Sequence, residues 1–236
     1  MLQKHFGLVP VESTSMPLPG VVRALGTLVL TPLRFSLRTG HARSSLVGRA
    51  VSSSGAPLPW LTYPAIDLLA HAEVSGRRVL EFGAGQSTVW WLSRGAEVIS
   101  FDDNARWIGR VRAEMPDADV RLVDQNLSQF PADLLAARFD VVVIDGLRRQ
   151  VAAKIARDVV ATSGCIIQDN SESFWSDVAG RYEIIELLAD FQRIDLYGFA
   201  PGVWRRHCTS IYFRDSCFLF HSQRPPARLD VWVDRT

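Results

Sequence analysis

Cysteine is scarce in this 236-residue chain: only Cys165, Cys208 and Cys217 occur, with no CxxC pair and no histidine at ligand spacing. That excludes a disulfide framework and a structural zinc site, and predicts reduced core thiols of a cytoplasmic protein. An excess of one charge is lacking too, since 26 Lys and Arg stand against 25 Asp and Glu. With a net charge of +1 there is no global field to draw in nucleic acid. No apolar run reaches the ~20 unbroken residues of a membrane span. Residues 18–37 come nearest, but Pro19 and Pro32 punctuate them, Pro17 precedes them, and Arg23 and Arg34 interrupt them, so no spanning helix is expected. The opening MLQKHFGLVPVESTS has no apolar stretch behind a positive start, so no secretory leader is expected either. Internal repeats and low-complexity tracts are absent.

What is present is an ordinary composition for a soluble domain, 47% apolar and 22% charged. The length suits one large core with an extension. Charge is uneven along the chain: residues 1–60 hold Lys4, Arg23, Arg34, Arg38, Arg43 and Arg49 against Glu12 alone. Such a segment reads as a mainly helical arm showing its arginines to water, with a basic amphipathic helix on a membrane surface, or a cover over an anionic substrate, as the other readings. SSSGAPLP at residues 52–59 reads as a loop, which puts the border between an N-terminal extension (1–58) and the core domain (59–221) there, with a tail over 222–236.

Within the core, short apolar strands alternate with helices. Strands are expected at 77–82, 97–101, 119–123, 139–145 and 164–168, and helices at 87–93, 105–114 and around 178–189. Val151, Ile155 and Val159 recur four apart and mark one further helix. Strands without in-out alternation, separated by helices, indicate a mostly parallel sheet covered on both faces, an α/β doubly wound fold. Residues 193–198 and 209–214 lack a helix between them, so the sheet should finish with an antiparallel strand.

The first core strand ends in Glu81-Phe82-Gly83-Ala84-Gly85-Gln86-Ser87-Thr88. Glycines there permit a tight turn and close backbone approach, while Ser87 or Thr88 can cap the next helix and aim its amides at an anion. The next strand ends in Asp102-Asp103, about 20 residues on, where a carboxylate can accept from both hydroxyls of a ribose. Together these residues outline an adenosine pocket. Thr88 replaces the third glycine of the dinucleotide fingerprint, and Glu81 precedes the turn, which tilts the choice away from NAD(P).

Glu81-x-Gly83-x-Gly85 resembles motif I of class I S-adenosylmethionine-dependent methyltransferases. The resemblance implies a seven-stranded Rossmann-like sheet. It also implies that Glu81, Gly83 and Gly85 hold the methionine portion of S-adenosylmethionine, Asp102 the ribose, and Asp124 or Gln125 a place near the adenine. The segments around Gly40-His41, Trp60-Leu61-Thr62-Tyr63-Pro64, Gly198-Phe199-Ala200-Pro201 and Thr209-Ser210-Ile211 are similar to a group of bacterial methyltransferase-domain proteins. Trp60 and Tyr63 either close over the cofactor or pin the N-terminal arm as buried aromatics.

Strand four ends at Asp145 and strand five at Asp169-Asn170, three hard oxygen donors on the glycine-turn edge, which would suit Mg2+. That set resembles catechol O-methyltransferase and implies a hydroxyl on a small-molecule acceptor, with Asp145, Asp169 and Asn170 as metal ligands. The family's catalytic lysine is replaced by Arg148, which cannot serve as a base. Asp145, His207, Glu172 and Lys154 are the candidates for that role, with Asp145, Asp169 and His207 the expected catalytic set; the other reading of Asp145, Asp169 and Asn170 is a pocket lining without an ion. Competing functions are an NAD(P)-type oxidoreductase and a non-catalytic Rossmann-like interaction module. Methylation of DNA bases is not expected, because Asp145-Gly146-Leu147-Arg148 stands where an Asn-Pro-Pro-Tyr-like loop would be.

Overall fold

A computed structural model describes residues 19–124, 126–146, 148–172 and 178–221, with side chains in the last stretch from residue 182 onward. The chain divides into two compact units, one ending at Phe35 and one starting at Ser36.

In the segment expected to be mainly helical, helix α1 (Gly20–Arg38) begins in the first unit, ends in the second and runs through Pro32. Pro19 starts the helix rather than stopping it, its carbonyl accepting from the amides of Val22 (2.9 Å) and Arg23 (3.2 Å). By length and composition α1 could cross a membrane, contrary to the reading of its sequence, and none of its residues is buried.

The second unit is built on one seven-stranded sheet of order β3-β2-β1-β4-β5-β7-β6. Its strands are β1 (Arg78–Phe82), β2 (Glu97–Asp102), β3 (Asp119–Leu122), β4 (Phe139–Ile144), β5 (Val160–Gln168), β6 (Gln192–Phe199) and β7 (Arg206–Phe213). All pairings from β3 across to β5 are parallel, whereas β7 runs antiparallel to both β5 and β6. The fold is therefore the doubly wound α/β arrangement expected, with one reversed strand near its C-terminal edge. Strand β5 begins four residues earlier than its sequence suggests. Helix α7 (Arg149–Val159) passes straight into it, and the Val159-Val160 pair carries no turn residue to mark the change.

The central strands are buried on both sides, which is why their sequences read as apolar runs. One face packs Leu80, Phe82, Val142, Ile144, Ile166 and Tyr212 with Ala152, Ala153, Ala156 and Val159 of α7 and with Ile184 of α8 (Val178–Leu187). On the sheet's other strands, α4 (Gln86–Ser93) and α5 (Ala105–Glu114) lie against β2 and β3, with Val89, Ile108, Val111 and Val120 in a smaller cluster. Asn104 caps α5, its side chain accepting from the Arg106 amide at 2.9 Å.

Helix α2 (His41–Val47) and the turn after it belong to the sheet's unit because polar groups lock them there. Ser44 Oγ donates to the Val51 carbonyl and accepts from the Val51 amide, and Ser45 Oγ donates to the Gly202 carbonyl. Helix α3 (Tyr63–Ala70) is seated on β6 in the same way. Thr62 Oγ1 donates to the Leu196 carbonyl (2.9 Å), the Thr62 amide donates to Thr209 Oγ1 (3.1 Å), and Trp60 Nε1 donates to the Pro201 carbonyl (2.9 Å). Tyr63 is buried and His41 lies 5.9 Å from its ring, so these aromatics pin the arm. A side chain on Gly198 would place its Cβ 2.6 Å from Pro64 Cδ. Gly198→Ala should therefore push α3 off the sheet and destabilise the fold by about 1–3 kcal/mol in urea unfolding; an unchanged midpoint would contradict this packing.

Candidate functional site

The order of the sheet reverses between β1 and β4, and the loops leaving those strands meet there. Gly83 has φ 113°, and a Cβ on it would lie 1.8 Å from the Asp145 carbonyl oxygen. Only glycine fits. The Gly83 amide donates to the Phe101 carbonyl and the Asp145 amide to the Phe82 carbonyl, both at 2.7 Å, so three strand ends are laced together. Beside Gly85, by contrast, no heavy atom lies within 4 Å of a built Cβ, leaving the backbone open to a ligand.

Asp102 is buried and already holds the turn: Oδ2 accepts from the Ala84 amide (2.8 Å) and Oδ1 from the Asn104 amide (2.7 Å). Each oxygen keeps a further lone pair for a ribose hydroxyl. Thr88 is committed to the protein, since its hydroxyl accepts from the Gly85 amide at 3.0 Å and donates to Glu81 Oε2. It is a brace and not a ligand contact. Ser100 Oγ donates to the same Glu81 oxygen at 2.7 Å. This partner was missed in the sequence, although one serine in the apolar strand EVISF is the kind of signal that finds it.

Glu81 is 0% exposed, and among the described residues its Oε1 has no hydrogen-bond partner. Burial pushes its pKa up to about 7, against the pull of the Ser87, Thr88 and Ser100 hydroxyls and with help from the Asp145 charge. Burial likewise raises Asp102, Asp145 and Asp169, the last well above the carboxylate range because Asp145 adds to the effect. Four carboxyl groups thus share the edge formed by β1, β2, β4 and β5, and the charge of Asp145 disfavours the ionisation of the other three. Such an edge suits a cationic ligand.

The three expected metal ligands do not fit an ion. Arg149 stands among them, its Nη2 3.7 Å from Asp145 Oδ1 and 3.5 Å from Asn170 Oδ1, so a fixed guanidinium takes the place of a divalent cation. Asp169 turns away to accept from Thr209 Oγ1 at 2.9 Å. Among the described residues no three His, Cys, Asp or Glu side chains converge as a metal requires. The signal for Arg149 was its spacing of four from Asp145 across the start of α7. Asn170 holds φ 48°, a left-handed conformation asparagine tolerates.

Next to Asn170, His207 Nδ1 lies 2.9 Å from Glu172 Oε1, while Glu172 Oε2 accepts from the Cys208 amide at 2.7 Å. Asn170 Nδ2 is 3.4 Å from the same ring nitrogen. Asp145, Arg149, Asn170, His207 and Glu172 therefore form one chain of contacts. Lys154 is elsewhere, paired with Glu183 at 3.1 Å, and the Arg148 side chain belongs to an exposed residue at the start of α7. Asp124 is an exposed loop cap, accepting from the Asn126 amide (2.7 Å) and from Ser128. Its carboxylate braces its own loop; Gln125 lies outside the described residues.

No protein-family model and no curated protein matches the sequence. Solved structures do. A Staphylococcus aureus protein, provisionally a caffeoyl-CoA O-methyltransferase, shares 14% identity over 80% of this chain and 99% of its own, with a TM-score of 0.50. Cofactor-bound Rv0187 from MTB shares 21% over 84% and 98% (TM-score 0.49). A TehB-like S-adenosylmethionine-dependent methyltransferase from Corynebacterium glutamicum shares 15% over 81% and 99% (TM-score 0.47). The chain has the fold of the class I S-adenosylmethionine-dependent methyltransferases.

Because burial favours protonated Glu81, its contribution to stability is full below the ordinary carboxylate pKa and is lost as pH rises through about 7. Glu81→Gln keeps an oxygen for the hydroxyls and removes the ionisation. Urea midpoints of the unmodified chain should fall more steeply between about pH 5 and pH 8 than those of the variant; equal slopes would remove the buried-acid account.

Proposed function

We propose that the chain is an S-adenosylmethionine-dependent methyltransferase acting on a hydroxyl of a small-molecule acceptor, without a metal ion. The observation that carries this reading is the convergence of the glycine turn and the acid of the neighbouring strand, joined by the 2.8 Å bond from the Ala84 amide to Asp102. The orphan oxygen of Glu81 and the open backbone at Gly85 support it, since they offer an acceptor for an ammonium group and room for the ligand's approach.

When bound, S-adenosylmethionine supplies a methyl group on a sulfonium that oxygen nucleophiles attack. The chain's residues supply the rest. Glu81 and Asp102 grip the two ends of the cofactor, and the carboxyl groups around them favour its positive charge. Gly83 keeps this grip against the Asp145 backbone, which fixes the distance between cofactor and acceptor loops. Glu172 Oε1 accepts a hydrogen bond from His207 Nδ1–H, which leaves Nε2 with its lone pair for the acceptor's hydroxyl proton. Arg149, held by Asp145 and Asn170, steadies the oxygen as its negative charge grows. Glu172 also borders a cavity of about 250 Å³ lined with Tyr182, Arg193, Asp195 and Tyr197, polar walls that suit a small hydroxylated acceptor.

Calorimetry with S-adenosylhomocysteine and with NAD tests the first step: binding of NAD alone would sink the reading, and binding of neither would make the chain a non-catalytic module. Transfer of a labelled methyl group to hydroxylated acceptors should survive a chelator. It should drop about 10²- to 10⁴-fold in His207→Ala with cofactor affinity unchanged. Abolition by the chelator, or full activity without His207, would refute the proposed chemistry.

A further inference from the structure

Helix α1 is not used by the site just described, yet it holds the largest set of exposed aliphatic side chains in the described chain. Val21, Leu25, Leu28, Val29, Leu33 and Leu37 are all between 52% and 72% exposed. At ~100° per residue, Arg23, Thr27, Thr31, Arg34 and Arg38 fall within an arc of roughly 80°. The remaining arc of roughly 240° is apolar apart from Gly26 and Ser36. A narrow basic stripe thus runs the whole length of an otherwise oily cylinder about 28 Å long.

We propose that α1 lies in the plane of a membrane surface containing anionic lipid, its apolar arc among the acyl chains and its arginine stripe among the head groups. Orientation follows from the stripe. A helix crossing the bilayer would carry Arg23 and Arg34 along the same line as Arg38 through the hydrocarbon, whereas a helix lying flat keeps all three at the polar boundary. Charge selects the occupant. No Asp or Glu occurs between Glu12 and Asp67, so α1 of a second copy brings no counter-charge to the stripe, while acidic head groups do.

The test uses the full chain and sedimentation with two vesicle preparations, phosphatidylcholine alone and phosphatidylcholine with a minority of phosphatidylglycerol. Three arginines at the surface should give about 100-fold tighter binding to the anionic vesicles, weakened by salt. Arg23→Gln, Arg34→Gln and Arg38→Gln together should bring the two affinities to within a few fold. Leu28→Glu with Leu33→Glu should abolish binding while circular dichroism and the thermal unfolding of the sheet unit stay unchanged, since glutamate is a strong helix former. No binding to either vesicle, or equal binding to both, would overturn the proposal. Retention of the chain in membranes after an alkaline wash would overturn it too, in favour of a spanning helix.

Discussion

The carbonyl oxygen of Asp145 occupies the volume in which a side chain on Gly83 would lie, and most of the site follows from that contact. It brings the loop after β1 and the loop after β4 to van der Waals distance at the point where the sheet changes direction. The mutual amide bonds of Gly83 with Phe101 and of Asp145 with Phe82 then prolong the parallel ladder past the strand ends. Backbone bonds fix the two loops to each other, and the side chains of Asp102 and Thr88 brace the turn after β1.

That rigidity has an electrostatic cost. Glu81, Asp102, Asp145 and Asp169 are crowded into an edge with little water, and burial holds each one's pKa above its ordinary value. The protein offsets the crowding with hydroxyls, with backbone amides and with one guanidinium. Arg149 is the economical choice for a site that needs a permanent positive charge, because it neither dissociates nor titrates. Its position between Asp145 and Asn170 puts a fixed positive charge where the sequence suggested a divalent cation.

The middle of the sheet was legible in the sequence because β1 and β4 are almost wholly buried and read as apolar runs. α5, with Asn104 before it and a helical period within it, could be read to the residue. The five-residue helix α6 (Ala132–Ala136) was not visible, since so short a helix owes its existence to what it packs on. α1 falls in the segment read as a mainly helical arm, and the prolines that punctuate its apolar run do not break it, since the carbonyl of Pro19 accepts from the first amides of the helix. At the site, the glycine turn and the acids carried their own signal. The pairing of His207 with Glu172 did not, because it joins residues 35 apart in the chain on separate elements.

Strand β7 enters the sheet head first. Its opening residues, His207 to Thr209, reach the edge at which every parallel neighbour finishes, so the last hairpin delivers its side chains from the opposite direction to the rest. In the proposed function, the grip on the adenosyl group and the treatment of its reaction partner would therefore fall to separate stretches of polypeptide, so that the terminal hairpin could be redrawn for a different acceptor while the turn after β1 stayed as it is.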